Sequence, residues 1–218
     1  MYKLLNAVFE REVKKLKDPE FKAKPRCLII LGLFCRFTNF KLPIPSGKSD
    51  KTLAVDETKI KWLFDLCVQK FARHQMSAYR RAGFSCLGSL FVRDAKLIMK
   101  EASKKVLNQG LATTESEEIR AVSLKALADF VEVDDTDAGA TCLRNTIMQE
   151  YLSKILACAY CSNEDTAIAA VKLVSQIHER GQVHPQLCIP DLVAVQQRGR
   201  ACAAIAYQVF CLNPARDS

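Results

Sequence analysis

Four side chains in the C-terminal third of the chain are of types that can bind zinc or act as nucleophile and base. Cys158 and Cys161 form a Cys-x-x-Cys pair, and His178 and His184 follow it. Zinc is usually held by such thiolates and imidazoles. However, the 16 residues between Cys161 and His178 exceed the spacing of a zinc finger and show helical periodicity. We therefore favour buried thiols, with a cysteine- or zinc-dependent enzyme as the alternative.

A second candidate site is a row of cations that we name the basic stripe. It consists of Arg93, Lys96, Lys100 and Lys104, and Lys105 borders it. Steps of three and four residues predict one helix face. The preceding helix adds Arg80 and Arg81, which we expect beside the stripe. Such a row can neutralise DNA phosphates without reading sequence, and the alternative is an ordinary solvated face.

Charge is distributed unevenly along the chain, which supports an anionic partner for its first half. Residues 1–110 carry 23 Lys and Arg against 10 Asp and Glu, a net +13. Residues 111–218 carry 9 against 14, a net −5, and the two sum to +8. A basic half joined to an acidic half indicates a polyanion or an acidic protein as a partner.

Catalytic and cofactor signatures are missing from the sequence. It has no Gly-x-Ser-x-Gly motif and no glycine-rich phosphate loop. The acidic residues Asp134, Asp135 and Asp137 lack the ligand spacing of a calcium loop, so a solvated loop is the better interpretation. We expect no catalytic residue, no metal, no cofactor and no small-molecule substrate.

The elements that must position these side chains are helices. Apolar residues recur at helical spacing nearly throughout, and Gly and Pro are too few for a typical all-β fold. The predicted helices are 1–17, 25–39, 56–72, 75–92, 94–108, 115–132, 143–161, 163–180, 185–197 and 199–212. Loops are predicted at about 40–55 and 133–141, where Pro, Gly or small acidic residues cluster.

Pairs of these helices recur every 35–45 residues or so, which is the period of HEAT arrays. The sequence thus predicts an all-α fold, an α-solenoid of antiparallel HEAT-type pairs forming a single array over 1–218. A compact, non-repetitive helical domain is the alternative. One corner between helices is distinct: Gly181 suits a helix C-terminus, Pro185 suits the first turn of the next helix, and His184 and Pro190 flank it.

Two classes of protein are disfavoured by composition. No apolar run approaches the roughly 18 residues that a membrane helix needs. Most of the ten cysteines fall inside apolar helical patterns, as reduced, buried thiols do. We therefore expect an intracellular protein without disulfides.

The sequence around the Gly181 corner resembles that of the Nipped-B-like family of cohesin-loading proteins. In the segment ERGQVHPQLCIPDLVAV, the matching residues are Gly181, Val183, His184, Pro185, Cys188, Pro190 and Leu192. Residues 27–40, 80–99 and 146–174 resemble further family segments in the same order. The chain departs from the family where Arg180 replaces Gln and where Asp94 replaces a frequent Pro.

The resemblance implies a nuclear, chromatin-bound HEAT scaffold without a catalytic centre. Members of the family hold DNA against the ATPase heads of cohesin, bind its kleisin subunit, stimulate its ATPase and promote its loading. They are far longer than 218 residues, so we expect this chain to be a segment of a longer solenoid. A generic HEAT adaptor that binds only protein is the alternative function.

Overall fold

Helices account for every regular element in the residues that the computed structural model describes, which are 2–37, 57–133, 138–197 and 200–211. The predicted all-α class is confirmed. The α-helices within these ranges are α1 (Tyr2–Lys17), α2 (Lys24–Phe37), α3 (Glu57–Leu66), α4 (Ser77–Arg93), α5 (Glu101–Gly110), α6 (Glu117–Val131), α7 (Ala138–Ala159), α8 (Glu164–Glu179), α9 (Ile189–Val195) and α10 (Arg200–Cys211). In these ranges no helix has both the length and the apolar character that crossing a bilayer requires.

Of the two predicted loops, only part of the second can be compared with the structure. The 40–55 segment lies outside the described residues, as do Asp134, Asp135 and Asp137. The prediction of a loop up to residue 141 is wrong at its end, because α7 already begins at Ala138.

Two predicted helices are interrupted. In the 94–108 segment, Asp94 is extended (φ −139°, ψ 97°), and its carboxylate accepts a hydrogen bond from the Lys96 amide at 3.0 Å. A short Asp side chain competes in this way with helical hydrogen bonding. A 3₁₀ turn (Ala95–Leu97) follows, and α5 starts only at Glu101. In the 185–197 segment, a 3₁₀ turn (Pro185–Leu187) precedes α9.

Residues Met1–Val106 form one compact unit, in which α2 packs against both α1 and α4. Gly32 permits the close approach of α2 to α4, because a Cβ there would lie 2.9 Å from the Cα of Cys86. A π turn (Cys67–Phe71) prolongs α3 and packs on α4. The core buries Phe64 and Phe91 among other apolar side chains.

Residues Leu107–Ser218 form a second compact unit around α8, which packs against α6, α7 and α10. The buried Arg144 of α7 donates from Nε to the carbonyl of Phe130 at 3.0 Å, so it satisfies an acceptor in the last turn of α6. Asn163 caps α8 by accepting from the Thr166 amide. The prediction of a single array over 1–218 stays a prediction.

Candidate nucleic-acid interface

The basic stripe does not lie on one helix, so that part of the prediction is wrong. Arg93 ends α4, Lys96 lies in the 3₁₀ turn, and Lys100 precedes α5. Only Lys104 and Lys105 lie on α5 itself. The break at Asp94 removes the continuous helical register on which a shared face depends.

Lys100 and Lys105, both predicted to bind phosphate, have partners within the chain. The Lys100 ammonium lies 4.6 Å from the ring centroid of Phe64, in cation–π geometry. Lys105 pairs with Glu101 at 3.6 Å, and both of these side chains are mostly exposed. An exposed pair of this kind contributes little to stability, so Lys105 can exchange it for a phosphate at small cost.

Arg80 and Arg81 lie in the first turns of α4, whereas Arg93 ends the same helix. Twelve helical steps separate Arg81 from Arg93, which corresponds to about 18 Å along the axis. Arg80 and Arg81 therefore do not lie beside Arg93, and their position beside the rest of the stripe stays a prediction. DNA binding by these arginines and by the basic stripe stays a prediction.

The Gly181 corner closes α8 with a Schellman motif. Gly181 has a φ of 64°, the left-handed conformation predicted for it. Its amide donates to the carbonyl of His178 at 2.9 Å, and the amide of Gln182 donates to the carbonyl of Ile177 at 2.9 Å. These two bonds satisfy carbonyls that the end of a helix leaves open.

His184 organises the turn that follows. Its Nδ1 accepts from the Gln186 amide at 3.3 Å, and its carbonyl accepts from the Leu187 amide at 3.0 Å. Pro185 begins the next helical segment, as predicted, but that segment starts as a 3₁₀ turn and becomes α-helical only at α9. Pro190 lies in the first turn of α9, because a missing N–H is tolerated there.

Cys158 and Cys161 lie near one another, but each thiol faces a different backbone carbonyl. The Cys158 thiol faces the Leu111 carbonyl at 4.0 Å, and burial raises its pKa to about 11. Cys161 donates to the carbonyl of Asn163 at 3.3 Å, and His184 is exposed. A thiol with a raised pKa is a poor nucleophile. In the described ranges, no three His, Cys, Asp or Glu side chains are grouped to hold a metal ion.

Comparisons with known proteins identify what this arrangement is similar to. Residues 144–210 match the Nipped-B C-terminal family, described as the sister chromatid cohesion C-terminus. The chain is 25% identical over 208 residues to the Nipped-B protein of Drosophila melanogaster, with 84% of this chain covered. The resemblance to the Nipped-B-like family is confirmed by both comparisons.

The two matches differ in the part of the chain that they cover. The chain spans about 10% of the length of the Drosophila relative. The family match begins at Arg144 in α7, contains α8 and α9 with the Gly181 corner between them, and ends in α10. It therefore coincides with most of the second compact unit.

Proposed function

We propose that this chain is a non-catalytic scaffold segment of a cohesin loader that acts in sister chromatid cohesion on nuclear chromatin. The observation that carries the proposal is the match of residues 144–210 to the sister chromatid cohesion C-terminus. The 25% identity to Nipped-B extends the similarity over most of the chain. The proposed partners are the ATPase heads and kleisin of cohesin, together with double-stranded DNA.

The helix packing within each unit supports a HEAT-type solenoid as the form of this scaffold. In the first unit α2 packs on α4, and in the second α8 packs on both α6 and α10. Alternate helices therefore contact one another, as the equivalent helices of stacked helix pairs do. The contact of α7 with α8 is consistent with packing inside one such pair.

The distribution of charge supports DNA binding by one unit and protein binding by the other. The net +13 of residues 1–110 favours phosphate contacts, whereas the net −5 of residues 111–218 disfavours them. We therefore assign the DNA contact to the first unit. The contact with cohesin is assigned to the second unit, which contains the family match.

The test combines purified chain with purified cohesin, using a HEAT-repeat phosphatase scaffold of similar size as the control protein. Co-precipitation measures binding, and ATP hydrolysis is measured with and without duplex DNA. The proposal expects capture of cohesin and faster, DNA-dependent hydrolysis that the control protein does not produce. Failure to bind cohesin and DNA would favour the generic protein-binding adaptor instead.

A further inference from the structure

We propose that the principal DNA-backbone contact of the first unit is an edge formed by two neighbouring corners, in place of the basic stripe. The corner edge comprises residues 14–26, around the α1–α2 corner, and residues 70–81, around the turn before α4. This inference rests on the proposed function and names the ligand chemistry of its DNA contact, which is the phosphates of a duplex.

A hydrogen bond from Tyr79 joins the two corners, and an aromatic stack within the second corner orients that side chain. The Tyr79 hydroxyl donates to the carbonyl of Lys22 at 3.5 Å, so the start of α4 contacts the α1–α2 corner. The Tyr79 ring stacks on His74 at 4.4 Å between centroids and on Phe71 at 6.1 Å. The amide of Met76 donates to His74 Nδ1 at 3.1 Å and fixes the turn. The cations next to these residues therefore extend from an ordered backbone.

The corner edge has more cations and a larger net charge than the basic stripe, +8 over 25 residues against +3 over 13. Residues 14–26 and 70–81 together carry ten Lys and Arg against the two carboxylates Asp18 and Glu20. The stripe segment, 93–105, carries five against two. Phosphate binding scales with the number of cations that displace counterions, so the corner edge offers more contacts.

Lys22, Lys70 and Arg73 are exposed on the corner edge, and so is Lys100 in the stripe. A contact within the chain distinguishes them. In the stripe, Lys100 lies over Phe64, and its ammonium must leave that ring or share it to reach a phosphate. Lys and Arg side chains on flexible stems can follow phosphates of varied spacing without base contacts.

The experiment compares two charge-reversal variants that change net charge equally. One carries Lys22→Glu, Lys70→Glu and Arg73→Glu, and the matched control carries Lys96→Glu, Lys100→Glu and Lys104→Glu. Binding of the 218-residue chain to a labelled 30-base-pair duplex of mixed sequence is measured from 50 to 200 mM salt. Circular dichroism verifies the fold, and the corner variant with Gln at the same positions replaces the Glu version if that fails to fold.

The expected result is a salt slope that falls by about 2.7 in the corner variant, at about 0.9 for each phosphate that the variant no longer neutralises. Over that fourfold range of salt, the wild type then loses about 40-fold more affinity than the variant. The stripe variant should change its slope by less than about one. An equal or larger fall in the stripe variant, or wild-type behaviour of the corner variant, overturns the inference while leaving the proposed function standing.

Two further outcomes are decisive. Undetectable duplex binding by the wild-type chain at low salt would overturn both the DNA part of the proposed function and this inference. Displacement of the duplex by polyglutamate, as effective as displacement by unlabelled DNA at equal charge, would identify an acidic protein as the occupant. Weak displacement by polyglutamate supports the duplex backbone.

Discussion

Replacing Gly181 tests whether its left-handed conformation stabilises the end of α8. The residue is exposed and has a φ of 64°, so a new side chain is strained by the backbone itself more than by neighbours. A left-handed conformation costs an L-residue about 1–2 kcal/mol. Gly181→Ala recovers about 0.4–1 kcal/mol because Ala restricts the unfolded chain. The net expected destabilisation is about 1 kcal/mol for Ala, from these two terms.

The identity of the new side chain provides the control. Gly181→Val should destabilise the fold by about 1–2 kcal/mol or more, because a β-branched residue is an outlier at positive φ. Gly181→Asn should destabilise it least, since Asn tolerates this conformation. For a chain of 218 residues, each 1 kcal/mol corresponds to about 2–4 °C in melting midpoint.

Thermal melting followed by circular dichroism measures the series. The reasoning predicts the order Val, Ala, Asn from most to least destabilised. Unchanged midpoints in all three variants would refute the left-handed cap. A destabilisation by Asn as large as that by Val would show that contact with neighbours, rather than backbone strain, sets the cost.

Three other predictions concern the first unit and the thiols. Gly32→Ala should destabilise the fold by about 1–3 kcal/mol in urea unfolding, because the new methyl meets the Cα of Cys86 at 2.9 Å; an unchanged unfolding midpoint would contradict this. Burial opposes ionisation of Glu12, but hydrogen bonds from Cys27, Lys15 and Arg11 outweigh it and lower its pKa. Its stabilising effect is present above the ordinary pKa of 4.5 and is lost as pH falls through the lowered value, so Glu12→Gln should flatten the acid-induced fall in melting temperature; parallel pH profiles would argue against it. Thiol titration without reductant should modify the exposed Cys142 first and the buried cysteines only on unfolding; recovery of fewer than about half of the thiols in denaturant would indicate disulfides.

Part of the candidate interface was predictable, and part was not. The sequence identified Arg80 and Arg81 as cations on a helix, and they lie on α4. The placement of the stripe on one face assumed that the helical pattern continues through residue 94. Periodicity gives the face of a residue only while the helix continues. The Asp94 side chain ends that continuity by bonding to the Lys96 amide. The pattern Asp-x-Lys is a weak local signal, and the apolar spacing around it favoured a helix.

Local chemistry alone determined the all-α class, most helix bounds and the Gly181 corner. Helical periodicity and the tolerance of Gly for positive φ act within a few residues of chain. Tertiary structure decided which surfaces face one another. The contact of Tyr79 with Lys22 joins residues 57 positions apart. Gly32 and Cys86 meet only because α2 and α4 pack together. Such contacts depend on side-chain fit between distant segments, and periodicity along the chain does not encode that fit.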